Sequence, residues 1–306
     1  MAARAAGTGW RPTLPTKAQP TDPRLEVRKT YKLFIGGKFP RSESGRSYAV
    51  DDASGALLAH AAQASRKDAR DAVVAARKAF PGWSGATPYN RGQVIYRIAE
   101  MLDGRRAQFA SEVASAEGLD GEAALGVVGA AVDRIVWYAG WADKFAQVAG
   151  SANPIAGPYF NFSLPEPTGV VAILAPQDSS LLGFVSVLAP VLCTGNTAVI
   201  VASERRPLPA ASLGEVLATS DLPGGVANVL TGFTAELAPW LASHRDVNAI
   251  DLTGAAVAER AELQRAAADN VKRVHVPPDE DWDAGPGLAR LTAFVETKTV
   301  WHPVGV

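Results

Sequence analysis

One thiol serves the whole chain of 306 residues, Cys193, and it closes an apolar run, LLGFVSVLAPVLC. A thiol attacks carbon only as the thiolate, which needs a cation, a base or a helix N-terminus beside it; at the end of an apolar helix Cys193 reads as a small buried hydrophobe. A polar turn, Gln177-Asp178-Ser179-Ser180, follows Ala175-Pro176 and either caps the next helix or lines a cleft. Glu204 sits just past a second apolar run, and Gly232 and Gly254 each open a strand-to-helix turn. Such turns can bring backbone N–H groups to a phosphate, but a lone glycine turn is equally plain sheet architecture. One cysteine excludes an internal disulfide and any multi-cysteine metal site, and the four widely spaced histidines form no zinc signature.

The elements that hold these residues have a helix–strand rhythm. Thr168–Leu174 is an apolar, β-branched run stopped by Ala-Pro, as a buried strand would be. Ser179 or Ser180 is placed to cap a helix over Leu181–Leu192, and Thr194-Gly195-Asn196 separates it from a strand at Thr197–Val201. Further crossovers follow: a helix Leu208–Thr219, a strand Asn228–Leu230, a helix Ala235–Ala242, a strand Ala249–Leu252 and a helix Ala256–Ala268. Strands alternating with helices imply an α/β fold with a parallel, Rossmann-like sheet. Upstream, YKLFIGGKF reads as a hairpin around Gly36-Gly37. Arg66–Phe80 is a helix with Ser65 and Asp68 as its capping pair. Thr87-Pro88 opens a second helix striped by Val94, Ile98, Met101 and Leu102, and a third, broken by glycines, ends in IVWYAGWADK. In PIAGPYFNFSL, Tyr159, Asn161 and Ser163 alternate with Phe160, Phe162 and Leu164, the period of a strand with one buried face.

Composition narrows the partners. At 47% hydrophobic the chain can bury a large core. A net charge of -1 without a basic patch argues against nucleic acid. No stretch approaches about 18 uninterrupted apolar residues, and the N-terminus has no apolar signal core, so a cytoplasmic location is expected. Residues 1–30 read as a mobile tail in which Trp10 is the one sticky side chain.

The wording of the chain resembles the aldehyde dehydrogenase family. Gly195-Asn196-Thr197 and Ser203-Glu204 stand as in that family, as do the Ile-Gly-Gly turn, the Tyr-Ala-Gly-Trp-Ala-Asp-Lys phrase, and DLPGGVANVLTG and LASHRDVNAIDLTG. The resemblance spans about residues 31–274. It implies a cofactor-type domain in two parts, 31–151 and 167–276, with bridging strands at 152–166. It also places Pro176, Glu204, Gly232 and Gly254 at the nicotinamide dinucleotide, NAD(P). Departures fall where the family's chemistry sits. Asp178 stands where the family has its oxyanion-donor asparagine, and a carboxylate there repels developing negative charge. Val201 replaces a lysine that binds the ribose, which weakens NAD(P) binding. Asn270-Val271-Lys272-Arg273-Val274 leads not into Glu-Leu-Gly-Gly-Lys but into HVPPDE, so Pro277 takes the position of the general-base glutamate. No cysteine follows.

Residues 277–287 read as a linker, and 288–306, with LARLTAFVETKTV, resemble the extreme C-terminus of the family, a helix and a bridging strand. The resemblance therefore implies that the catalytic domain is missing. The expectation is a catalytically incompetent subunit that assembles with a full-length aldehyde dehydrogenase, or with itself, through strands 152–166 and 296–302. As a strand donor without an acceptor domain, the chain would leave its C-terminal strand unpaired in a homodimer of the usual kind. The alternatives are an NAD(P)-dependent oxidoreductase whose site a partner completes, and a binding module that reuses the cleft at Gln177–Ser180.

Overall fold

The computed structural model describes residues 28–278 and 280–305. The tail and Trp10 lie outside them, apart from the last residues of the tail. The described chain opens with β1 (Thr30–Tyr31), β2 (Ser47–Asp51) and β3 (Leu57–Ala62), which form a small sheet in the order β1-β3-β2. Helices α1 (Arg66–Gly85), α2 (Pro88–Asp103), α3 (Arg106–Glu117), α4 (Gly121–Trp141) and α5 (Phe145–Ala149) follow. The capping box at Ser65 forms as read: its hydroxyl accepts from the Lys67 and Asp68 amides, and Asp68 accepts from the Ser65 amide at 2.8 Å. Of the IGG hairpin only one bridged turn remains, Ile35 against Lys38, with Gly36 and Gly37 both at positive φ.

Strands β4 (Ser151–Asn153) and β5 (Tyr159–Pro167) precede the crossover units. These run β6 (Val170–Leu174), α6 (Leu182–Cys193), β7 (Thr197–Val201), α7 (Leu208–Ala218), β8 (Ala227–Leu230), α8 (Thr234–Ser243), β9 (Ala249–Asp251), α9 (Val257–Ala268) and β10 (Arg273–His275). The five strands form a parallel sheet ordered β10-β9-β6-β7-β8. Every residue of β6, β7, β8 and β9 is buried, which is why these strands read as unbroken apolar runs. One core packs α2, α3, α4, α6 and α7 on one face of the sheet; the other packs α1, α8 and α9 on the opposite face.

Helix α4 is long and apolar enough to cross a bilayer, the one such helix among the described residues. It packs instead against α2, α3 and α6, and its Arg134 is buried, donating to Ser186 Oγ at 2.8 Å and to the Trp282 and Ala284 carbonyls at 2.7 Å.

The chain ends in α10 (Ala289–Thr292) and β11 (Val295–Pro303). β11 pairs antiparallel with β5 of its own chain over nine residues, giving a third sheet ordered β11-β5-β4. Past β10 the chain is tied down at residues 280–284: Arg134 holds the Trp282 and Ala284 carbonyls, and Glu280 grips Arg290.

Candidate functional site

In an open parallel sheet, ligands gather at the carboxyl ends of the strands, where the strand order reverses. Here that point lies between β6 and β9, since β7 and β8 lie on one side of β6 and β9 and β10 on the other. The predicted residues do converge on this end of the sheet. Ala175, Pro176, Gln177 and Asp178 follow β6; Ser203 and Glu204 follow β7; Gly232 follows β8; Gly254 follows β9.

They come together by binding one another. Gln177 spans the β6 and β7 ends: its amide donates to Ala175 O at 2.9 Å, its Oε1 accepts from the Glu204 amide at 3.0 Å, and its carbonyl accepts from Ser203 Oγ at 3.0 Å. The Glu204 carboxylate accepts the backbone N–H of Thr234, at the first turn of α8. A carboxylate there satisfies the positive end of the helix, the place an anionic ligand would otherwise take. The Asp178 carbonyl accepts from Arg206, which pins the turn that carries it. Gly254 comes so close to β6 that an added Cβ would lie 1.9 Å from Ala175 O, and its amide donates to Leu174 O at 2.8 Å. The β9 turn is thus packed directly on the β6 turn, and only glycine permits it.

Ser179 acts at the start of α6: its Oγ accepts the amide of Gly183, the second residue of the helix, at 2.8 Å, while the cap residue itself is Leu181, with no side-chain bond. Ser180 does not cap; its amide and hydroxyl both donate to Glu117 Oε1 of α3, at 2.7 and 2.6 Å. The side chains of Gln177, Ser179 and Ser180 are therefore engaged within the fold, whereas exposed Asp178 is held through its backbone carbonyl.

Cys193 is 1% exposed at the far, C-terminal end of α6. Its Sγ donates to Tyr138 O at 3.1 Å, and burial pushes the thiol up to about 12, against which the nearby Arg91 guanidinium offsets only part. Pro277 is buried just past β10. A cleft of about 550 Å3 lies elsewhere, lined by Phe80, Arg91, Phe145, Glu166, Thr194 and Val295 among others, and its lining includes Cys193 but none of the cofactor-type residues.

Sequence reading missed a heavily bonded polar cluster. Arg290 donates to Asp251 Oδ2 at 2.8 Å, to Thr253 Oγ1 at 2.9 Å and to both oxygens of Glu280 at 2.7 and 3.0 Å. Asp251 is fully enclosed at the end of β9. The one signal was a lone arginine inside a short apolar helix, LARLT. A second weld is Asn196, which joins Gly169 N (2.8 Å) to Phe294 O (2.8 Å) and so stitches the C-terminal segment to the sheet.

Comparison with known proteins places this geometry. The model of the aldehyde dehydrogenase family matches residues 39–277. The chain belongs to the aldehyde dehydrogenase family. Retinal dehydrogenase 2 of Gallus gallus is 34% identical over 255 residues, 82% of this chain and 48% of the relative. A putative aldehyde dehydrogenase, DhaS, of Bacillus subtilis is 33% identical over 82% of this chain and 51% of the relative. Among solved structures, an NAD+ complex of an aldehyde dehydrogenase from Bacillus cereus superposes with a TM-score of 0.75 at 28% identity, over 80% of this chain and 50% of that one. The chain thus spans about half the length of the curated relatives it matches, and the parallel α/β sheet is the half they share.

Proposed function

We propose that this chain is a catalytically incompetent member of the aldehyde dehydrogenase family that serves as an assembly subunit, joined through its third sheet to a full-length dehydrogenase. One observation carries the proposal: the sole thiol is enclosed, bonded to a backbone carbonyl and held protonated far above neutrality. Aldehyde oxidation through a thiohemiacetal needs a thiolate, a donor for the oxyanion and a base for water. In this reading Asp178 and Pro277 stand in the positions of the donor and the base and supply neither function.

The cofactor end supports the same reading. The residues at the strand ends do not fit a dinucleotide: Glu204 holds the α8 amide, Gln177 fills the space between β6 and β7, and Val201 and Ala202 offer no side-chain donor for ribose hydroxyls. What remains available is sheet edge. Among the described residues β11 has no strand along one side, an edge that a neighbouring strand would satisfy.

Capture from the source cell tests the proposal. Tagged chain is expected to retain a full-length aldehyde dehydrogenase whose specific activity per intact subunit is unchanged. Recovery of the chain alone under conditions that keep known complexes together would refute it.

A further inference from the structure

Three arginines are buried among the described residues, Arg91, Arg134 and Arg290, and they differ in what answers their charge. Arg290 is held by Asp251 and Glu280, and the charges of Glu280 and Asp283 act on Arg134. Arg91, 9% exposed, has no such acid: burial pulls its guanidinium below the ordinary value, and no carboxylate offsets that. An enclosed charge is costly unless it is paired. Backbone meets part of the cost. Nη1 donates to Ala86 O at 2.6 Å and to Ser84 O at 3.4 Å, and Nε donates to Cys193 O at 3.4 Å. These carbonyls lie at the C-terminal ends of α1 and α6, where the helix dipoles favour a cation. Nη2 makes no hydrogen bond among the described residues.

Arg91 lines the cleft of about 550 Å3, a size that suits a small molecule. The cleft lies at the amino ends of β6 and β7, since Pro167 precedes the one and Thr194 the other. That is the opposite end of the sheet from Gln177, Glu204, Gly232 and Gly254. Its walls include Phe80, Phe145, Leu164, Pro167 and Val295. The acid among its lining residues, Glu166, is exposed and bonded to Lys298 at 2.8 Å rather than to Arg91. An added Cβ at Gly195 would lie 3.4 Å from Arg91 Cζ, so backbone closes on the guanidinium and holds it in place.

We propose that this cleft binds a monocarboxylate with an apolar tail, its carboxylate on Arg91 Nη2 and its tail against Phe80, Phe145, Leu164 and Val295. A carboxylate supplies the counter-charge that the fold withholds and accepts a short, charge-assisted bond from the guanidinium. A phosphate ester fits less well, because a dianion asks for several donors and the cleft offers it one amino group between apolar walls. A second carboxylate on the ligand would meet Glu166, so dicarboxylates are disfavoured. The site needs no partner subunit and is independent of the assembly proposed above.

Calorimetric titration of the purified chain with sodium octanoate tests this, beside octanol, which has the same apolar tail and no charge. Saturable one-to-one binding of octanoate is expected, with octanol weaker by about tenfold or more, the worth of a hydrogen bond to a charged group. Arg91→Met should abolish the difference between the two ligands. Should that variant fail to fold, Gly85→Phe carries the test: Gly85 lines the cleft, and a Cβ added there meets nothing within 4 Å. The new ring then fills the space, so circular dichroism is expected to stay unchanged while octanoate binding is lost. Inorganic phosphate should not displace octanoate. No saturable octanoate binding at millimolar concentration, equal binding of octanol, displacement by phosphate, or binding undiminished in Gly85→Phe overturns the proposal.

Discussion

Arg290 is where the last seventeen residues of the chain are fastened, and its removal has a calculable cost. Arg290→Met keeps the bulk of the side-chain stem but takes the guanidinium from Asp251, which has no exposed surface, and from Glu280. Asp251 is left with only the amide and hydroxyl of Thr253, at 3.0 and 2.5 Å. Stranding one member of a buried ion pair costs about 3–5 kcal/mol. Against a total of about 5–15 kcal/mol for a folded domain, that is at least about a fifth of the stability. With a urea slope of about 2–3 kcal/mol per M, the unfolding midpoint falls by roughly 1–2.5 M. Urea titration followed by tryptophan fluorescence reads this directly, since Trp282 lies beside Arg290, its ring 5.6 Å from the guanidinium. The double variant Arg290→Met/Asp251→Leu should recover most of the loss, because no enclosed charge remains. A single-variant loss below about 1 kcal/mol, the range of an exposed pair, would show that the C-terminal segment is not anchored by this cluster.

Three further outcomes are expected. Iodoacetamide should leave Cys193 unmodified in the folded chain at pH 8 and label it on unfolding, because burial pushes the thiol up to about 12; rapid native-state labelling by mass spectrometry would contradict this. Val271 is 92% exposed with φ 58°, a costly conformation for a β-branched residue, so Val271→Gly should raise stability by about 0.5–1 kcal/mol in urea titration, and a decrease would show that the side chain is needed. Lys272 is buried with only Asn270 Oδ1 as a side-chain partner, and burial lowers its ammonium to about 8. Between pH 8 and about 10.4 the unfolded chain binds more protons at this site, so its penalty is full below pH 8 and fades as pH rises. Lys272→Met should therefore be the more stable variant at pH 7, with the gap closing toward pH 10; a gap that stays constant with pH would refute the assignment.

The crossover units were legible because their strands are buried on both faces: TAVIV and VVAIL admit no surface position, and glycine or proline punctuates their ends. Strands β2 and β3 were not. Leu57–Ala62 is alanine-rich, with little intrinsic strand preference, and becomes a strand because β1 and β2 flank it. The third helix, Arg106–Glu117, went unread since only Phe109, Ala110, Val113 and Ala116 bury in it, and Arg105 gives no side-chain cap. At the strand ends the sequence did not show the pairing: Gln177 was read as part of a turn that either caps the next helix or lines a cleft, and Glu204 as a cofactor contact, whereas each is bonded to a backbone group brought near by the fold. The Arg290–Asp251 pair joins positions 39 apart in sequence, and no local pattern encodes it.

Turnover by the isolated chain decides whether a working aldehyde site exists here. Purified protein, a panel of short and aromatic aldehydes, and NAD+ or NADP+ are followed at 340 nm beside a Cys193→Ala variant. The expected rate is no greater than that of the buffer, for wild type and variant alike. A rate that scales with wild-type protein and vanishes in Cys193→Ala would contradict the reading of the chain as a noncatalytic member of its family.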